Sequence, residues 1–260
     1  MKTILKTTLS ILLILVLLPL ICTYLIQGKD KLIGDNKNSY EKILPGILAA
    51  SMPEDFPKEA KKAQAVVLRT LLYNTGEKDG MKAMEKAKLS YQKVKEETVY
   101  DAVSETENEI LYYDGKAAKP AFHFASAGKT RSVKEGENDI PYLSSVDSLS
   151  DKECEGYKAE KVIDGLNAEV LERDASLYVI SVKENGKILT GEEFREKYCL
   201  NSSNFEIIQK KGKAIVISYG IGHGIGLSQY GAKKRAESGK KYDEILKYYF
   251  KGTEVQRIYE

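Results

Sequence analysis

Residues 220–232 read GIGHGIGLSQYGA and form the most specific stretch of the chain. Four glycines alternate with other residues around His223, which permits unusual backbone angles and the close approach of a ligand. The stretch follows a β-rich run and precedes a helix-like one, so it predicts a strand, a glycine loop and a helix, with His223 near the helix N-terminus. It lacks the spacing of a P-loop or a dinucleotide site. The residues alone leave His223 open between a site residue and a structural turn residue.

A second segment of similar character lies at residues 121–132, AFHFASAGKTRS. His123 ends a predicted strand, and Ser126 and Thr130 follow it in a polar loop. One histidine in a strand would most often be structural. This chain, however, has only two histidines, and both stand beside loops rich in Gly or Ser. We therefore expect the two segments to share one cleft.

The hydrophobic pattern of the remaining chain predicts helices at both ends and strands in the middle. Helical spacing covers 57–74, with Pro57 at the first helical position, and Gly76 and Gly80 separate this helix from a shorter one at 81–88. An Asp114-Gly115 pair predicts a hairpin turn. Such an arrangement is typical of an α+β fold. Further helices are expected at 40–50, 190–198 and 242–250, and strands at 98–103, 109–113, 121–125, 177–183 and 213–219.

The N-terminus predicts a membrane anchor. Residues 7–26 carry no charge and are rich in Leu and Ile, and about 20 apolar residues span a bilayer as a helix. A small-residue cleavage site is missing, which favours an uncleaved signal anchor over a cleaved signal peptide. We therefore divide the chain into an N-terminal signal anchor or transmembrane helix at 1–27, a polar linker at 28–38 and one domain at 39–260. The domain is expected on the extracytoplasmic side of the cell membrane, behind a single pass.

Composition narrows the classes of partner. The net charge is +2, which is too small to argue for a nucleic-acid partner. The 17 tyrosines and the absence of tryptophan leave two readings open, because tyrosine faces can stack on sugars or fill a core.

Several blocks of the chain together resemble the SpoIID/LytB family. The first is LPGILAASMPEDFPKEAKKAQAVVLRTLLYN at 44–74, followed by 109–130 and by YLSSVDS at 142–148. GHGIGLSQYGA at 222–232 and YDEILKYYFKGT at 242–253 match the C-terminal signature. The similarity covers about residues 40–256 in the same order. It implies one SpoIID-like domain that acts on peptidoglycan.

The resemblance also implies a catalytic position, and this chain departs from it. In lytic transglycosylases of the family, a glutamate before Met-Pro protonates the glycosidic oxygen and then activates the 6-hydroxyl of the sugar. Ser51 stands at that position here, and a serine hydroxyl is too weak an acid for the role. Glu54 is the candidate substitute. The resemblance places the remaining cleft at His123, Ser126, Thr130, His223, Ser228, Gln229 and Tyr230.

Some family members carry a metal through His and Cys near the Phe-His loop. Here His123 is present, but Cys154 is the only cysteine within reach of that loop. Two ligands fall short of the three or four that zinc prefers. We predict no metal and no cofactor.

Three functions remain open at this stage. The first is a peptidoglycan-binding pseudoenzyme that holds glycan strands or activates a partner cell-wall hydrolase, as amidase enhancers do. The second is an active lytic transglycosylase that uses Glu54 or another carboxylate. The third is a structural membrane protein, which the glycines around His223 argue against. By resemblance only, a link to sporulation is expected.

Overall fold

The structure, a computed structural model, describes residues 39–91, 97–135 and 138–258. The predicted anchor at 1–27 and the linker at 28–38 lie outside these residues. Across the part of the chain that is described, no helix combines the length and the hydropathy needed to cross a bilayer. Residues Ile43–Glu260 form one compact unit.

In the described chain three helices come first, a run of mostly antiparallel strands with one helix among them follows, and two helices and a last strand come at the end. This segregation confirms the predicted α+β class. The helices are α1 (Ser39–Ser51), α2 (Lys58–Tyr91), α3 (Glu97–Ser104), α4 (Gly191–Lys197), α5 (Gln229–Glu237) and α6 (Tyr242–Tyr249). The strands are β1 (Glu109–Tyr113), β2 (Lys116–Ala117), β3 (Phe122–His123), β4 (Lys134–Glu135), β5 (Asn138–Asp139), β6 (Lys158–Asp164), β7 (Ala168–Arg173), β8 (Val179–Glu184), β9 (Lys187–Thr190), β10 (Phe205–Lys210), β11 (Lys213–Tyr219), β12 (Leu227–Ser228) and β13 (Glu254–Arg257).

The first hydrophobic core forms where α2 packs against the C-terminal helices and β1. Ala60 and Ala63 of α2 are fully buried, and their small side chains leave room for Ile245 and Tyr249 of α6. Leu111 of β1 closes this core from the sheet side. Burial of this apolar surface stabilises the packing by about 25 cal/mol per Å².

A second core lies between two three-stranded sheets. One sheet has the strand order β10-β11-β6 and the other β7-β8-β9. Phe194 of α4 stacks on Phe205 at 5.0 Å between ring centroids, and Val182 and Val216 pack around them. Helix α4 starts at a capping box, because Thr190 and Glu193 satisfy each other's backbone N–H groups.

Several sequence predictions agree with these bounds. The strand predicted at 213–219 is β11, and the helix predicted at 242–250 is α6 within one residue. Asp114 and Gly115 form the expected turn between β1 and β2, both with positive φ angles.

Other predictions are wrong. Residues 98–103, predicted as a strand, form helix α3, because Val99, Ala102 and Val103 fall on one buried helical face. Gly76 and Gly80 do not interrupt α2, since a glycine costs a helix only about 1 kcal/mol. Strands β6, β7 and β10 were not predicted, because at least half of the residues in each are exposed and each carries charged side chains.

A buried arginine fastens α2 to the elements that follow it. Arg69 is 1% exposed. Its guanidinium donates to the carbonyl oxygens of Val103 and Glu109, each at 3.1 Å. The next residue, Thr70, accepts the N–H of Leu111 at 3.0 Å. The Arg-Thr pair therefore sets the position of α3 and β1 on the helix.

Replacing Arg69 with Met should destabilise the domain by about 2–4 kcal/mol, because buried carbonyls would lose charged donors. Urea unfolding of the two proteins would measure this. Arg257→Met is the matched control, since Arg257 is exposed on β13 and should shift stability by at most about 0.5 kcal/mol. Equal losses in both variants would contradict the role given to Arg69.

Candidate functional site

The two predicted site segments meet through backbone pairing. β12 of the glycine segment (residues 220–232) lies parallel to β3 of the Phe-His segment (residues 121–132), with Ser228 opposite His123. Further along, Arg131 forms a parallel bridge with Ile225, and its N–H donates to the Gly224 carbonyl at 2.7 Å. The structure thus brings both histidines to one place.

Glycine is required where the segments touch. Gly226 has a φ of 72°, and a Cβ there would lie 2.1 Å from the carbonyl oxygen of Ala121. A Cβ on Gly224 would lie 2.3 Å from the Tyr178 ring. The close approach that the glycines predicted is present, but the approaching groups belong to the protein itself.

Ile225 fixes the tautomers of both histidines. Its carbonyl oxygen lies 3.0 Å from Nδ1 of His123, and its N–H donates to Nδ1 of His223 at 3.0 Å. A carbonyl only accepts, so His123 carries its proton on Nδ1. A backbone N–H only donates, so Nδ1 of His223 is unprotonated. The two rings lie 5.9 Å apart between centroids.

Both histidines are held neutral. Burial, together with a smaller effect of the nearby His223, lowers the pKa of His123 to about 3, although the carbonyl of Ile225 favours the proton. Burial also lowers the pKa of His223, against the opposing charge of Glu192. Nε2 of His123 is buried and has no hydrogen-bond partner within the described structure. The pair therefore offers lone pairs and N–H groups rather than charge.

Asp151 connects the two segments of the site through hydrogen bonds to Ser126 and Ser228, and the sequence analysis did not identify it. It is fully buried on a 3₁₀ turn at Leu149–Glu153. Its carboxylate accepts the N–H and the hydroxyl of Ser126 at 2.7 and 2.6 Å, and the hydroxyl of Ser228 at 2.9 Å. Burial raises the pKa of Asp151, while the Ser126 and Ser228 bonds oppose that rise. Nothing in its sequence context separated this acid from the other 37 in the chain.

Ser228, rather than His223, stands at the helix N-terminus. It is the N-cap of α5 and accepts the N–H of Gly231 at 3.1 Å. The expected position of His223 at that helix end is wrong, because β12 lies between the glycine loop and the helix.

Ser51 lies beside the C-terminal signature. It is the last residue of α1, and its carbonyl accepts the side-chain amide of Gln229 at 2.8 Å. Its own hydroxyl donates to the Leu48 carbonyl at 3.0 Å. Glu54 is exposed, and its backbone carbonyl accepts the ammonium of Lys61 at 2.7 Å. The turn from Ser51 to Glu54 is therefore anchored through its backbone carbonyls, and the Glu54 side chain is exposed to solvent.

The remaining predicted residues serve mainly to hold loops. Thr130 is buried and accepts the N–H of Val146 at 2.9 Å. Tyr230 is half-buried and donates to the Glu153 carbonyl at 3.3 Å. Ser126, Ser228 and Gln229 are likewise buried. Of the predicted site residues, Ser51, His223, Tyr230 and Glu54 keep exposed surface.

Arg131 braces the His223 loop from outside. Its guanidinium donates to Asp174 at 2.7 Å and to Glu192 at 3.2 Å, and it lies over the ring of Tyr178. A weaker contact of 3.5 Å reaches the carbonyl of His223. This frame links the loop to the second core.

Among the residues that the structure describes, no group of three or more His, Cys, Asp or Glu side chains is placed so that it could hold a metal ion. Cys154 is a free, buried thiol that donates to the Glu155 carbonyl at 3.2 Å. The absence of a metal stays a prediction.

Comparison with known proteins defines the class. The family profile described as "Stage II sporulation protein" (SpoIID) matches residues 29–113. The chain belongs to the SpoIID family. It is 33% identical over 252 residues to Stage II sporulation protein D of Bacillus subtilis (strain 168), covering 83% of this chain and 74% of that protein. The same-named protein of Bacillus amyloliquefaciens is 30% identical over 83% of this chain and 73% of its own length. The Amidase enhancer of B. subtilis (strain 168) is 52% identical over 52 residues, 20% of this chain and 7% of that protein.

Gly226→Ala should destabilise the domain by about 3–5 kcal/mol, the sum of a left-handed backbone and an overlap with Ala121. Gly239→Ala is the control, because Gly239 has a φ of 87° and a Cβ added there would lie more than 4 Å from every described residue except its chain neighbours. It should cost only about 1–2 kcal/mol. Thermal or urea unfolding compares the two, and similar losses would show that the segments do not need close contact.

Acidification should weaken folding from about pH 6.5 downward, because the folded pKa of both histidines is depressed and unfolding takes up protons. The slope would be at most about 1.4 kcal/mol per pH unit for each histidine. The chain has 2 histidines, so a His123→Asn/His223→Asn variant should lose this slope between about pH 6.5 and 4.5, above the usual range of carboxyl titration. Urea unfolding at several pH values measures it. An unchanged slope in the variant would disprove the assignment.

Proposed function

We propose that this protein is a cell-wall remodelling protein of the SpoIID type that binds peptidoglycan glycan strands beside Ser51 and His223, in a role linked to sporulation. Membership of the family and the names of the two relatives called Stage II sporulation protein D support this proposal. The observation that carries its finer form is Ser51, which stands where the resemblance places the catalytic glutamate.

The environment of Ser51 supports a binding protein rather than a catalyst. The Ser51 hydroxyl is engaged with a helix carbonyl and cannot supply a proton to a leaving sugar. The ammonium of Lys233 hydrogen-bonds Asp55 and lowers the pKa of that carboxyl, so Asp55 stays ionised. Asp55 therefore does not replace the missing acid. A pseudoenzyme that holds glycan or activates a partner hydrolase, in the manner of an amidase enhancer, fits best.

An active lytic transglycosylase is the second candidate. It would need Glu54 or another carboxylate as the acid, and the exposed Glu54 carboxylate lies three residues from Ser51. General acids work best in clefts that exclude water, which an exposed turn does not provide. The geometry of Glu54 thus favours the first candidate.

The membrane anchor at 1–27 and the extracytoplasmic location remain part of the proposal. Both agree with a protein whose ligand is the cell wall. The proposed partners are glycan strands, the membrane and a cell-wall hydrolase, with no nucleic acid and no cofactor.

Digestion of purified sacculi tests the proposal. We expect the full-length wild type to bind sacculi without releasing anhydro-muropeptides, while Ser51→Glu releases them at a rate at least about 10²-fold above wild type. Mass analysis of the soluble products is the measurement. Ser51→Gln has a similar shape without an acid and should stay silent.

Other outcomes separate the candidates. Release by the wild type that is abolished in Glu54→Gln would establish the transglycosylase. Failure of the folded wild type to bind sacculi would overturn glycan binding itself.

A further inference from the structure

A cavity of about 490 Å³ lies beside the Phe-His segment and the 3₁₀ turn that carries Asp151. The backbone of Ala127 and Gly128 forms part of its wall, next to Ser126, whose side chain points to Asp151 instead. The 3₁₀ turn at Leu149–Glu153, the turn after β7 and the ends of β10 and β11 supply the other walls. The cavity shares none of its lining with the histidines or Ser51.

The cavity combines apolar rims with charges of both signs. Leu149 and Leu177 stand at its edge with 66% and 64% of their surface exposed. The rings of Tyr157 and Tyr219 pack 6.0 Å apart on its wall. The Lys129 and Lys152 side chains are exposed, and the ion pairs found in the described residues include neither. Asp147 and Glu206 provide the negative charges.

Leu177 is held in an unfavourable backbone conformation. Its φ is 67°, a region that bulky side chains avoid. Asp174 enforces the turn, because its carboxylate accepts the N–H groups of Ser176 and Tyr178 at 2.9 and 3.0 Å. A glycine would fit this backbone without strain, and the exposed Leu177 side chain adds little to the core. Leu177 therefore presents an exposed apolar side chain at the edge of the cavity in spite of this backbone strain.

We propose that this cavity binds the stem peptide that branches from the glycan strands of peptidoglycan. The inference rests on the proposed function and adds a second part of the same polymer to it. A stem peptide carries several carboxylates, the free amine of its diamino acid and the methyl groups of its alanines. The two lysines match the carboxylates, the acidic pair matches the amine, and the leucines match the methyl groups.

A peptide bound here would touch the segment that carries the main site. The Ala127 N–H donates to the Tyr178 hydroxyl at 3.0 Å, and the Tyr157 hydroxyl donates to the Ala127 carbonyl at 3.1 Å. Ala127 is thus clamped between the cavity wall and the Ser126–Asp151 contact. A strand held at both places would be presented with its peptide in a fixed position, as a partner amidase would need.

Calorimetric titration of the full-length protein tests the proposal. The probe is the free pentapeptide L-Ala-γ-D-Glu-meso-diaminopimelate-D-Ala-D-Ala, at concentrations up to the millimolar range. We expect the wild type to bind the pentapeptide and the Lys129→Ala/Lys152→Ala variant to bind it about tenfold more weakly. Two exposed ion pairs together contribute roughly that factor to the affinity. Leu177→Gly should also weaken binding while leaving the unfolding midpoint unchanged or raised, which a merely structural leucine would not do.

A control variant separates loss of the cavity lysines from a general loss of positive charge. Lys116→Ala/Lys251→Ala removes the same charge at exposed positions outside the cavity and should bind like the wild type. Undetectable binding, or equal binding by all variants, would overturn the proposal. Equal affinity for an all-L, α-linked peptide of the same charge would also overturn it, and would indicate an acidic protein segment as the occupant.

The test is separable from that of the proposed function. A peptide-free oligomer of N-acetylglucosamine reports on the glycan site alone. If the protein binds the pentapeptide but not the oligomer, the cavity assignment stands and the glycan cleft is disproved. If it binds the oligomer but not the pentapeptide, the glycan cleft stands and the cavity assignment is disproved.

Discussion

The buried carboxylate of Asp151 is the interaction on which the site depends. A charge in a low-dielectric interior is costly unless hydrogen bonds surround it, and Ser126 and Ser228 supply those bonds from the two segments that form the site. The same Ser228 hydroxyl caps α5, so helix placement and loop placement are set by one group of atoms. Gly231 must lack a side chain here, because a Cβ would lie 2.0 Å from the Tyr249 hydroxyl and 3.1 Å from Asp151.

The sequence predicted correctly those elements whose conformation is set by residues close together in the chain. The helix predicted at 190–198 and the Asp114-Gly115 turn each depend on contacts within a few residues, through the Thr190 capping box and the β1–β2 hairpin, so both are readable from the sequence. The strand predicted at 98–103 failed because its β-branched residues also fit a short helix, and only packing on α2 decides between them. Arg69 and Asp151 were not recognised as buried, since their partners lie far away in sequence.

The candidate site shows the same division. The two histidines and Ser126 were singled out from their setting and Ser228 from the family resemblance, and the structure brings them together. What the sequence could not indicate is that most of these side chains bond to the protein itself. Ile225 is the clearest case, because its role depends on backbone atoms that any residue would offer. The side chain of Ile225 gives no sign that it fixes both imidazoles.

The long sequence separation of these contacts has a consequence for how the protein is made. Gln229 reaches Ser51 across 178 residues, and Tyr242 reaches Glu59 across 183. Such non-local contacts form slowly and late in folding. Helix α2 leaves the ribosome long before α6 can cover its apolar face, so that face stays exposed while most of the chain is synthesised. A chain interrupted before residue 227 would contain α2 and β1 but would lack α5 and α6, which cover them in the first core. Its exposed apolar surface would make it a target for chaperones and proteases.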